Sequence, residues 1–293
     1  MPPSWCCSSS SKASAHGGAG RGSPRLGWGV ERYKAIVAYD GTDYAGFQIQ
    51  AGVRTIQGVL EEALRARGWE GVQLLAAGRT DAGVHALGQV VAFDLGWPHP
   101  PEALGPAVNA RLPGSVRCRE VTRAANEFHP RYSARRRTYR YRIFESRQAD
   151  PLGERSAWRI WPALERGILG RVSEAIVGRR DFAAFGRPPH RGGTTVRHVM
   201  RAEWRPIERA LEFTIQADAF LYRMVRLLVG SLVRVGQGRL GEADFLDLLE
   251  RPGAGHGGPA APAKGLCLMN IDYEAPDQFE AQSPQTGALS VTL

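Results

Sequence analysis

The chain has 293 residues, 43% of them hydrophobic, and a formal charge of +9 carried almost entirely by arginine. That length supports one large domain or two of ordinary size, with a sizeable core. The arginine excess points to a polyanionic partner, nucleic acid ahead of a membrane surface, because guanidinium forks onto phosphates and stacks on bases. Four cysteines, Cys6, Cys7, Cys118 and Cys267, form no C-x-x-C pair. This argues against a zinc ribbon or a disulfide framework and fits a reducing compartment, so a cytoplasmic protein is expected. The longest apolar run, Leu227 to Val235, is broken by Gly230, Ser231 and Arg234 and is too short to span a bilayer.

Residues 1–30 are rich in Ser, Gly and Pro, contain no acid and carry Lys12, Arg21 and Arg25. Such a composition cannot build a core and predicts a disordered extension. No apolar stretch follows the first basic residue, so the segment does not read as a secretory signal. Tyr33 to Tyr39 predicts a strand, and Asp40-Gly41-Thr42-Asp43 a turn. Thr55 is a suitable N-cap for a helix in which Ile56, Val59, Leu60, Ala63 and Leu64 recur at helical spacing up to Arg67-Gly68. Val72 to Ala77 and Gly88 to Phe93 predict two strands around Gly78-Arg79-Thr80-Asp81-Ala82-Gly83-Val84-His85-Ala86. Pro101 opens a short helix to about Asn109, and Val116 to Val121 is a strand. Arg136 to Phe144 alternates: Tyr139, Tyr141 and Ile143 share one face, Arg140 and Arg142 the other.

Asp150-Pro151-Leu152-Gly153 then divides the chain into halves, 31–148 and 149–273. In the second half Leu164 to Val177 predicts a helix, and Thr194 to Trp204 and Leu211 to Ala217 paired strands. Ala219 to Val235 predicts a helix apolar on most of its circumference, Glu242 to Glu250 a last helix, and Leu266 to Tyr273 a closing strand. Residues 274–293 are polar and predict a disordered acidic tail. The element order is that of an α+β chain in two similar halves.

Three stretches carry chemistry. Asp81 sits on a glycine-bounded loop, where Gly78 and Gly83 permit backbone angles closed to other residues. It is either a turn aspartate bonding its own backbone or a carboxylate presented for reaction. Arg131 to Arg142 sets six arginines among aromatics. They read as phosphate and base contacts or as a solvated edge strand. Arg226 lies among apolar neighbours on a helix, where a guanidinium needs a carboxylate, with Asp81 and Asp218 the candidates.

From Tyr33 to Tyr273 the sequence resembles the bacterial tRNA pseudouridine synthase A family. The resemblance rests on Tyr39-Asp40-Gly41-Thr42 with Tyr44, Gly46 and Gln48; Thr55-Ile56-Gln57-Gly58; Gly78 to Ala86; Phe128-His129 with Arg131, Ser133 and Ala134; Tyr139-Arg140-Tyr141; Asp181-Phe182 with Phe185; Met224-Val225-Arg226 with Val229-Gly230; and Gly265-Leu266. It implies a continuous, mixed, mainly antiparallel sheet with helices on one face and a central active-site cleft. It implies isomerisation of uridine to pseudouridine on the 3′ side of the tRNA anticodon stem-loop, by a homodimer in which one tRNA touches both subunits, with no metal or organic cofactor.

By the same resemblance Asp81 is the catalytic aspartate, as nucleophile at the anomeric carbon or as base toward the 2′ proton. Arg226 is its cationic partner, Tyr139 the active-site tyrosine, and Leu266 lines the base pocket. Arg79 holds the extruded nucleotide or takes its place in the stack. Gln48, His85, Arg131, Arg135, Arg136 and Arg137 are the expected RNA contacts, with His85 also a candidate for orienting the loop. The sequence departs from the family at its N-terminal extension, at Pro130 and at Cys267. The competing reading is an RNA-binding or tRNA-folding protein in which catalysis is secondary or lost.

Overall fold

A computed structural model describes residues 29–273, apart from 189, 191, 209 and 252–254. The tail at 274–293 and residues 1–28 of the N-terminal extension lie outside the described residues. In chain order the strands are β1 (Glu31–Tyr39), β2 (Leu75–Ala76), β3 (His85–Leu95), β4 (Val116–Arg123), β5 (Arg136–Glu145), β6 (Trp158–Ile160), β7 (Gly178–Asp181), β8 (Val196–Ile207), β9 (Ala210–Ala217) and β10 (Leu266–Asp272). The helices are α1 (Ile56–Arg65), α2 (Pro101–Asn109), α3 (Arg166–Glu174), α4 (Met224–Gly236) and α5 (Glu242–Glu250). The strands form one sheet in the order β4-β1-β3-β10-β5-β9-β8-β7, with β2 on β3 and β6 on β5. Pairing is antiparallel except for β10 with β3 and β5 with β6. The fold is therefore α+β with a mixed, mainly antiparallel sheet, as the resemblance implies.

Register explains why all five helices share one face. Tyr39 opposes Ala86, Ala86 opposes Leu268, Leu268 opposes Tyr139, Tyr139 opposes Ile215, and Ile215 opposes Ala202. Directly opposed residues point the same way, so this row crosses six strands on a single face. Around it lie two hydrophobic cores. One packs β1 and β3 against Leu60 and Leu64 of α1 and Leu104 and Val108 of α2. The other packs β9 against Leu169 of α3, Leu228 and Leu232 of α4 and Phe245 of α5. It also draws Tyr141 and Ile143 from β5, so the cores do not divide the chain at residue 149. The opposite face is polar: Arg140 opposes Thr214 and Cys267, and Arg142 opposes Glu212.

Several elements differ from expectation, α3, α4, β6 and β7 among them, for local reasons. The Glu165 carboxylate accepts from Gly167 and Ile168 N–H, so α3 starts after it rather than at Leu164. Helix α4 starts at Met224, not Ala219. Asp218 caps the amides of His198 and Ala219, Tyr222 N–H donates to Arg187 O, and Arg223 is left-handed (φ 62°). Strands β6 and β7 are additional; β6 is too short for alternation to be seen, and Gly-Arg-Arg-Asp in β7 has no apolar face.

Candidate active site

The loop holding Asp81 runs from β2 to β3 and is seated by backbone contacts that only glycine allows. Gly46 takes φ +100°, and a Cβ on it would lie 2.9 Å from Thr80 O; Phe47 N–H donates to that carbonyl at 3.0 Å. A Cβ on Gly41 would lie 2.0 Å from Val84 O. The Thr80 hydroxyl is hydrogen bonded to the buried Tyr39 phenol at 2.8 Å, and Val84 N–H closes the turn on Asp81 O at 3.1 Å. Of the two glycines read as conformationally required, Gly83 takes φ +77° but Gly78 does not enter the left-handed region. The carbonyl of Gly78 instead accepts from the buried Gln89 amide at 3.0 Å.

Arg226 of α4 meets this loop. Its Nη1 donates to Asp81 Oδ2 at 2.7 Å and its Nε to Ala261 O at 2.8 Å, while Ala261 N–H returns a bond to Arg226 O at 2.9 Å. Segment 259–261 presses on the helix so closely that a Cβ on Gly230 would lie 2.1 Å from Pro259 O. The guanidinium is thus held at two points, with its side chain 15% exposed and that of Asp81 21% exposed. Asp218, the other candidate partner, is committed to backbone amides at 2.6 and 3.1 Å. Among the described residues Asp81 Oδ1 accepts no hydrogen bond, which leaves it open to a substrate in the cleft.

That cleft has a volume of about 930 Å³ and gathers Asp81, Arg226, Tyr139 and Leu266 with Gln48, Arg79, Arg131 and Arg137. Tyr139 comes from β5 on the helical face, its ring edge-on to Phe220 with centroids 5.1 Å apart. Burial pushes the Tyr139 phenol up to about 12, against the opposing pull of Arg137 and with some help from the Asp81 charge. Leu266 opens β10, is buried and stands opposite Tyr141. Tyr141 is a packing residue, wholly buried and donating to Pro262 O at 2.7 Å. The site therefore offers a fixed carboxylate beside an apolar and aromatic slot.

A family model described as tRNA pseudouridine synthase matches residues 35–133 and 172–274. The chain belongs to the tRNA pseudouridine synthase family. It is 39% identical to a tRNA pseudouridine synthase A of Geobacillus kaustophilus over 248 residues, covering 84% of this chain and 95% of that one. Identity to a tRNA pseudouridine synthase A of Geobacter sulfurreducens is 38% over 240 residues, covering 82% and 98%.

In this member of the family the remaining predicted residues separate by strand face. Arg137 shares the face of Tyr139, lines the cleft and donates to Asp218 O at 2.5 Å and Arg131 O at 3.0 Å. Desolvation lowers its pKa from the usual arginine range. Arg136 belongs to the opposite face, 3.7 Å from Asp272, and Arg135 is exposed with its amide bonded to Asp272 O at 2.8 Å. His85 does not reach the Asp81 cleft. Its Nδ1 accepts from Gly41 N–H and its Nε2 bonds Lys264 O, both at 3.1 Å, so it braces the Asp81 loop from the other side of the sheet. There it lines a pocket of about 450 Å³ with Arg140, Arg142 and Arg155. Asp40 stands beside it. Burial would raise this carboxyl, but the Thr42 hydroxyl and amide and the Arg155 guanidinium outweigh burial and hold it at about 2. Among the cleft residues that escaped the sequence reading, Phe220 and Arg223 did so because both fall in a stretch that reads as one regular helix.

Proposed function

We propose that this chain isomerises uridine to pseudouridine in the anticodon stem-loop of tRNA, with Asp81 acting on the ribose of an extruded nucleotide. The observation that carries the reading is the Asp81–Arg226 pair, 2.7 Å apart, in a cleft shared with Tyr139 and Leu266. The reaction breaks the N1–C1′ bond and makes a C5–C1′ bond; C5 gives up a proton and N1 gains one, so atoms and electrons balance without a co-reactant. Asp81 serves as nucleophile at C1′ or as base toward the 2′ proton, and either role needs a held carboxylate at the sugar. Arg226 acts through Asp81 and is a positioning residue. Tyr139 and Leu266 flank the uracil while it turns. Arg79, exposed at the cleft, fills the gap the base leaves or holds the nucleotide out, offsetting a few kcal/mol of unstacking, in order of magnitude. Arg131 and Arg137 meet phosphates. The working assembly in this reading is a cytoplasmic homodimer with one tRNA touching both subunits.

Carbodiimide mapping of tRNA treated with the wild type and with Asp81→Ala tests this. The wild type is expected to place pseudouridine in the anticodon stem-loop, and the variant to bind tRNA and form none. Product from the variant would remove Asp81 from the chemistry. Modification confined to other parts of the tRNA would refute the anticodon assignment.

A further inference from the structure

Among the described residues Arg223 is one of two non-glycine residues, with Glu208, whose φ is positive. Its φ of 62° and ψ of 7° are left-handed, a region that L residues other than Asn and Asp rarely enter. Neighbours hold it there. Tyr222 N–H donates to Arg187 O at 2.9 Å, Met224 N–H to Leu221 O at 3.1 Å, and Leu227 N–H to Arg223 O at 3.0 Å. A Cβ on Gly186 would lie 2.6 Å from Leu221 Cβ, so the turn is pinned from the outside as well. The result is an aimed side chain. Arg223 Nε lies 3.9 Å from Asp81 Oδ2, beyond hydrogen-bond reach, and the guanidinium carbon lies 5.1 Å from the centre of the Tyr222 ring. Among the described residues this guanidinium donates no hydrogen bond. The Arg223 side chain is 49% exposed, whereas that of Arg226 is 15% exposed.

We infer that Arg223 is a substrate-binding residue that takes the phosphodiester flanking the target ribose. The inference rests on the function proposed above. With the ribose at Asp81 and the base directed inward to Tyr139 and Leu266, the phosphates leave the site on its solvent side, where Arg223 stands. The guanidinium lies over the Tyr222 ring and, among the described residues, donates no hydrogen bond, which leaves its N–H groups available for a bidentate phosphate contact. The strained turn is what brings the edge to that place rather than out along the surface.

Three variants of the full chain separate this from a structural role. Arg223→Gly removes the guanidinium and relieves the backbone; Arg223→Ala removes it and keeps the strain; Arg223→Lys keeps the charge. Both truncations are expected to weaken tRNA binding and raise KM roughly 10- to 100-fold, with kcat little changed. The slope of log affinity against log salt should fall by about 0.7 to 0.9, one phosphate contact, and Lys should restore part of both losses. The Gly variant should melt no lower than the Ala variant and close to the wild type. Wild-type affinity and salt slope in the Gly variant would overturn the inference, as would losses that simply track a lowered melting temperature. If the wild type forms no pseudouridine the proposed function fails, while the salt slopes still decide whether Arg223 meets a phosphate.

Discussion

The role proposed for Asp81, acting on a sugar, needs a carboxylate that is held still and shielded from water, and a few side chains around it supply both. Arg226 fixes one oxygen, and Tyr139 and Leu266 wall the adjoining slot. Much of this was legible in the sequence. An arginine on an apolar helix requires an acid, and strand alternation sets Tyr139 on the face opposite Arg140. Periodicity could not show which acid answers Arg226, because Asp81 and Asp218 are equally acidic on paper. The structure separates them by committing Asp218 to two backbone amides. The phenol of Tyr139 makes a separate prediction. With its pKa raised to about 12 against an ordinary 10.0, its protonated form is favoured by folding. That contribution to stability is complete below about pH 10 and is lost as the pH rises toward 12. In an absorbance titration, the wild type less Tyr139→Phe should show the missing phenol ionising near 12; ionisation near 10 would place the ring in water.

At the level of elements, the Asp81 loop is a keystone between segments far apart in sequence. The Gln57 side chain accepts from Ile49 N–H and donates to the buried Glu61 carboxylate, which also takes Leu74 N–H at 3.0 Å and Arg65 at 2.9 Å. That network fixes the segment from Phe47 to Ile49, and Phe47 and Gly46 press on Thr80. It gives a structural reason for Thr55-Ile56-Gln57-Gly58: Thr55 caps α1 and Gln57 ties it to the Phe47–Ile49 segment. Replacing Gly46 by Ala adds a Cβ 2.9 Å from Thr80 O at a φ of +100°, so both crowding and strain oppose it. Gly46→Ala should cost more than about 1 kcal/mol in urea unfolding and lower kcat by displacing Asp81. An unchanged midpoint with unchanged kcat would show that the loop is seated some other way. Thr55 capping and the Pro101 start were readable because they are local; the start of α4 was not, because it is set by Asp218, Arg187 and Gly186.

For the whole molecule, the decisive feature is the last strand. β10 inserts between β3 and β5, bringing Leu266 beside the strand of Tyr139 and joining the β4-β1-β3 group to the β5-β9-β8-β7 group in one sheet. No periodicity reports such a non-local pairing; the resemblance implied the continuous sheet, and its register had to be seen. The sheet also sorts the arginines that give the chain its charge. Arg137 faces the cleft and Arg136 the opposite side. Arg137→Gln should therefore weaken tRNA binding and reduce its salt slope by about 0.7 to 0.9, and Arg136→Gln should change neither. Equal losses from both would mean that RNA is bound across both faces.

The central claim, that the Asp81 carboxylate does the chemistry rather than the binding, is tested most directly by Asp81→Asn. This variant keeps the size of the side chain and an oxygen for Arg226 while removing the charge. Measured side by side for tRNA affinity and single-turnover pseudouridine formation, it should bind about as tightly as the wild type and form no product. Product at a rate near that of the wild type would contradict the account.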